Sequence, residues 1–89
     1  MIVKNEIHFD DGYRVVLLDE SGKLKGRNVV GLDSSGNTKW RIKQDPINPD
    51  FNYVSILSRN GKLIAINFSG NQLEIDYKTG NVTSQKWVK

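Results

Sequence analysis

Tight-turn signals recur along the whole chain and leave no room for long helices. Asp11-Gly12, Ser21-Gly22, Ser35-Gly36-Asn37, Asn60-Gly61, Ser69-Gly70-Asn71 and Thr79-Gly80-Asn81 punctuate it at short intervals. Glycine at such tips reaches positive φ without a Cβ clash, and the neighbouring Asn, Ser or Asp bonds the turn backbone. The segments between them are rich in Val, Ile, Leu, Tyr and Thr, and none sustains a helical apolar stripe. This is the pattern of hairpin-connected strands. The expected strands are Glu6 to Phe9, Tyr13 to Asp19, Lys23 to Arg27, Asn28 to Asp33, Thr38 to Lys43, Tyr53 to Ser58, Lys62 to Phe68, Gln72 to Tyr77 and Val82 to Val88.

Alternation assigns faces to these strands. Trp40 and Ile42 point one way while Lys39, Arg41 and Lys43 point the other. Leu73, Ile75 and Tyr77 likewise oppose Gln72, Glu74 and Asp76, so one face packs and one meets water. The runs Val15 to Leu18 and Ile64 to Ile66 do not alternate, which predicts central strands covered on both faces. Gln44 to Asp50 is the one long loop. Pro46 and Pro49 cannot donate ladder bonds there, and they push their preceding residues into extended geometry.

That loop separates two similar halves. Tyr13 to Leu24 answers Tyr53 to Leu63, each a strand followed by a Gly-Lys-Leu turn exit, and Gly31 to Lys43 answers the stretch beginning at Glu74. The chain is therefore expected to be a single domain, 1–89, holding repeat units at 13–43 and 53–88 joined by a proline-containing connector at 44–52. A period of about 40 residues with several short strands is that of a propeller blade. The element around Asp33, Gly36, Asn37 and Trp40, repeated around Asp76, Gly80, Asn81 and Trp87, resembles the blade motif of quinoprotein-type β-propellers, in which a Thr-Gly turn and a Trp close each blade. The resemblance implies blade architecture. It does not import quinone binding, because two blades cannot encircle that cofactor. The expected fold is all-β: two antiparallel four-stranded meander sheets packed as a small sandwich or half-propeller, with no cofactor. A monomer is favoured over a ring of several chains.

Composition narrows the function. Eighty-nine residues hold one modest core. No cysteine is present, which removes thiolate nucleophiles and Cys-based metal sites. The first nine residues lack a signal-peptide h-region and no apolar run approaches a bilayer span, so no membrane association and a cytoplasmic address are expected. Thirteen Lys and Arg against ten Asp and Glu give +3, mildly basic rather than the dense field of a dedicated nucleic-acid binder.

Asp33 and Asp76 precede tight turns and read as turn caps. Trp40 and Trp87 read as core pillars. Glu6, His8 and Asp10 alternate on one strand with a spacing that could present metal ligands, but a solvated polar face is the simpler reading, and no metal is assigned. With a single His, no nucleophile elbow and no phosphate loop, an enzyme is not expected. Lys23, Lys25 and Arg27 share one strand face, and Lys39, Arg41 and Lys43 share another. Paired through a hairpin they would make a basic stripe, the expected partner-binding surface, although lysines on exposed strands also guard against edge-to-edge aggregation. The expected function is a non-enzymatic protein-binding module, similar in size and simplicity to bacterial immunity proteins that cover a toxin's active site. The alternatives are a carbohydrate-binding two-blade protein that oligomerises and a weak nucleic-acid binder.

Overall fold

In the computed structural model, residues 2–19, 26–43, 52–68 and 70–87 are described. They form eight strands: β1 (Ile2–His8), β2 (Arg14–Asp19), β3 (Val29–Leu32), β4 (Thr38–Arg41), β5 (Tyr53–Arg59), β6 (Lys62–Asn67), β7 (Asn71–Ile75) and β8 (Val82–Trp87). Among the described residues there is no helix. Two four-stranded sheets result, ordered β1-β2-β3-β4 and β5-β6-β7-β8. Every pairing is antiparallel, so both sheets are meanders. The all-β, two-sheet expectation holds.

The non-alternating runs occupy the places their pattern predicts. Val15 to Leu18 lies in β2, between β1 and β3, and all four residues are buried. Ile64 to Ile66 lies in β6, between β5 and β7. Two boundaries differ from expectation. The first strand begins at Ile2 rather than Glu6, and it forms an edge of the first sheet. The strand expected at Lys23 to Arg27 does not reach its C-terminal end, because Gly26 and Arg27 lie outside any strand, Gly26 with φ near 81°. Its first three residues fall outside the described ones.

One core joins the sheets. Val15, Leu17, Val29, Trp40 and Ile42 from the first meet Tyr53, Ile56, Leu63, Ala65, Leu73 and Ile75 from the second. A smaller cluster of Val16, Leu18 and Val30, with Leu32 against it, occupies the other face of the first sheet.

The stacking has a direction. In the β3–β4 hairpin the Asp33 amide donates to the Asn37 carbonyl, and in the β7–β8 hairpin the Asp76 amide donates to the Asn81 carbonyl, both at 2.9 Å. The preceding residues, Leu32 and Ile75, therefore hold the same ladder position and project to the same side of their own sheets. Ile75 points into the shared core, whereas Leu32 points away from it. The back of the first sheet thus packs on the front of the second, so the sheets follow one another rather than mirroring each other.

Two polar contacts fix this stack. Buried Asn28 donates through Nδ2 to the Leu18 carbonyl (3.0 Å) and the Tyr53 carbonyl (2.8 Å), and its Oδ1 accepts from the Tyr53 amide (2.9 Å). Its amide acts as a length of strand that pairs with β5. Trp40 lies over the β7–β8 turn and donates from Nε1 to the Tyr77 carbonyl at 2.7 Å. Its ring presses on Gly80, where an added Cβ would lie 2.7 Å from the indole, and on its cross-strand partner Gly31, where a Cβ would overlap it.

Candidate partner-binding site

Edge strand β4 carries the basic residues. The β-bulge between Gly31 and Leu32 shifts the register so that Trp40 faces Gly31 and Arg41 faces Val30. Trp40 is thereby turned into the core, while Lys39 and Lys43 are exposed and Arg41 half-buried. Beyond the strand, the Ile42 amide still donates to the Val29 carbonyl at 2.9 Å. Exposed Arg27 reaches this point and donates from Nε to the Ile42 carbonyl at 3.2 Å. The Tyr53 hydroxyl donates to the Lys43 carbonyl at 3.3 Å. Arg27, Lys39, Arg41 and Lys43 therefore form one basic margin held by core contacts.

This margin differs from the expected stripe. β4 pairs with β3, whose residues Val30, Gly31 and Leu32 oppose it, and among the described residues no hairpin sets it beside Arg27. Arg27 joins through its own side chain instead. Lys23 and Lys25 lie outside the described residues.

Lys43 also borders the second sheet. With Gly80, Asn81 and Val82 it lines a notch of about 350 Å³ between the end of β4 and the β7–β8 turn. Val82 is 44% exposed there. The Trp40 contact with Gly80 is what brings the two walls together.

Elsewhere three cations are paired, while Lys4 and Arg59 have no salt bridge to a described carboxylate. Glu6 accepts from Arg14 at 3.1 Å and lies 3.1 Å from His8 Nε2. Lys62 lies 3.6 Å from Glu74, and Lys78 lies 3.4 Å from Asp11. No salt bridge joins Arg27, Lys39, Arg41 or Lys43 to a carboxylate among the described residues. No group of three His, Asp or Glu residues able to hold a metal occurs among them either; the Glu6 carboxylate, one of the candidate ligands, is engaged by Arg14.

The turns are polar and ordered by carboxylates. Asp33 Oδ1 accepts from the Ser35 and Asn37 amides, both at 2.9 Å, and Asp76 Oδ1 accepts from the Lys78 amide at 2.9 Å. The Asn37 amide bond, joined by that of Ser35 and the charge of Lys39, outweighs partial desolvation and holds the Asp33 carboxyl below the usual range. At the β1–β2 turn, Phe9 stacks on Tyr77 with centroids 3.7 Å apart, and Tyr13 meets Tyr77 edge-on. The Tyr77 hydroxyl donates to Asp11 at 2.8 Å. That bond, with some desolvation and the negative charge of Asp11, pushes the phenol up to about 12. Desolvation works against ionisation of Asp11, but the bonds from Tyr77, Tyr13 and Lys78 prevail and lower its carboxyl.

Trp40 and Trp87 differ in ladder position. Trp40 pairs with Gly31, while Trp87 pairs with Asn71 at the far end of β7. The side chain of Trp87 is outside the described set. Two features escape a reading based on turns and alternation: the Asn28 bridge and the notch. A signal for Asn28 exists, since Asn28 and Asn71, both buried, stand five positions before Asp33 and Asp76 respectively. The notch has none, because it joins segments from both halves.

These features define a small all-β domain of two sequentially stacked meander sheets with a basic margin on one edge. The chain belongs to the family described as a domain of unknown function, DUF7957, whose model matches residues 2–87. No curated protein matches it.

Proposed function

We propose that this chain is a non-enzymatic protein-binding module that docks an acidic partner surface on its β4 margin. One observation carries the reading: Arg27, Lys39, Arg41 and Lys43 gather on one edge without a salt bridge to any described carboxylate, whereas Arg14, Lys62 and Lys78 each have one, and the other described cations without one, Lys4 and Arg59, lie on β1 and β5. Cations gathered on one edge steer a complementary surface and fix its register. A short edge strand tied to the core by Trp40 and Ile42 holds them in place at little further entropic cost. The reading includes partners of the kind met by bacterial immunity proteins, a toxin whose active-site mouth is acidic.

Capture from cell extract on immobilised protein tests it, run beside the triple variant Lys39→Glu/Arg41→Glu/Lys43→Glu. The expected outcome is one protein retained by the natural sequence and lost with the variant. Equal retention on both surfaces would place binding elsewhere. Recovery of nucleic acid, displaced steeply by salt, would favour the phosphate-binding alternative.

A further inference from the structure

We infer that the notch lined by Lys43, Gly80, Asn81 and Val82 is the anchor point of this margin, and that it takes an acidic segment in which an apolar side chain stands beside a carboxylate. The inference rests on the acidic-partner reading and adds the chemistry that selects among acidic partners. Two properties meet in the notch. Lys43 offers an ammonium group with no salt bridge to a described carboxylate. Beside it, Val82 is one of the few large apolar side chains that the described surface leaves substantially exposed, at 44%.

The walls are fixed from behind. The Lys43 carbonyl accepts from the buried Tyr53. The opposite wall is held by Trp40, which bonds the Tyr77 carbonyl and packs on Gly80. The Asn81 backbone is committed on both sides, its carbonyl to the Asp76 amide and its amide to Thr79 Oγ1 at 3.2 Å. A volume of about 350 Å³ suits one or two side chains of a partner. A surface of cations alone would accept any polyanion. A cation beside a half-exposed valine favours a carboxylate flanked by a hydrophobic residue, because only that pairing removes apolar area from water as it satisfies charge.

Fluorescence anisotropy with two labelled peptides of equal length and equal negative charge tests this, one of alternating Glu and Leu and one of alternating Glu and Ser. The expected result is tighter binding of the Glu-Leu peptide. Val82→Ser should weaken that peptide about fivefold and leave the Glu-Ser peptide unchanged. Lys43→Glu should weaken both, and Lys4→Ala, on β1 at the opposite edge of the first sheet from β4, neither. Circular dichroism confirms that each variant is folded. Equal affinity for the two peptides with no effect of Val82→Ser overturns the anchor and leaves the acidic-partner reading standing. Failure of both peptides to bind, or tighter binding of a single-stranded oligonucleotide of the same charge, overturns the acidic-partner reading itself.

Discussion

Asn28 does the work of several backbone groups. Its side chain makes three hydrogen bonds to main-chain atoms on two different strands, and it is only 2% exposed. Removing the amide deletes three hydrogen bonds in a site closed to water, each contributing about 1 kcal/mol. Asn28→Ala is therefore expected to destabilise the fold by about 3 kcal/mol and to lower Tm by roughly 15 °C. Urea unfolding measures it as a lower midpoint at unchanged slope; a loss under about 0.5 kcal/mol would contradict the bridge. Tyr77 supplies a second residue-level expectation. A phenol whose folded pKa is raised from 10 to about 12 favours folding below pH 10, and that contribution fades as pH climbs toward 12. Asp11 acts in the opposite sense: its lowered carboxyl helps above its ordinary value of 3.8 and loses that help as pH falls below it. In an ultraviolet titration Tyr77 should ionise near 12, and Asp11→Asn should bring it down toward 10. A Tyr77 indifferent to that substitution would mean the bond is not formed in solution.

The β7–β8 turn depends on β4 although the two are distant in sequence. Gly80 has φ near 80° and lies under the Trp40 ring, so Gly80→Ala meets both backbone strain and a clash. In a double-mutant cycle with Trp40→Ala, the cost of Gly80→Ala should fall by about 1 kcal/mol or more once the ring is gone. Additive costs would indicate that φ alone matters. The same pair marks how far the sequence could be read. The strands of each hairpin were legible because their turns and alternation are local, and the apolar runs in β2 and β6 declared themselves central. The β1–β2 pairing was less so: Val3 and Asn5 flank a bulge that breaks the alternation of the first strand, which hides its N-terminal half. The basic residues were legible as residues, but their assembly was not. Arg27 joins them through a side-chain bond to the Ile42 carbonyl, and Lys43 meets Val82 only because the sheets stack, and neither relation leaves a mark in local periodicity.

Front-to-back stacking determines how the whole molecule unfolds. The core takes Val15, Leu17, Val29, Trp40 and Ile42 from one sheet and Tyr53, Ile56, Leu63, Ala65, Leu73 and Ile75 from the other. Separating the sheets would expose both sets at once, and it would also break the Asn28 and Trp40 bonds that cross between them. An isolated four-stranded meander would keep its ladders but lose the apolar partner that covers one face, and a sheet this small has little else to offset its conformational entropy. The two halves should therefore fold as one cooperative unit, despite their internal likeness. In Trp87→Phe, fluorescence reports Trp40 at the sheet interface while far-UV circular dichroism reports both sheets. The two signals should trace a single urea transition with one midpoint. Asn28→Ala should move both by the same amount, because it weakens the joint and not one sheet. Fluorescence loss at lower urea than dichroism loss would mean that the sheets separate before they unfold. In that case each half would be stable alone, and the shared core would be a docking interface between two independent sheets.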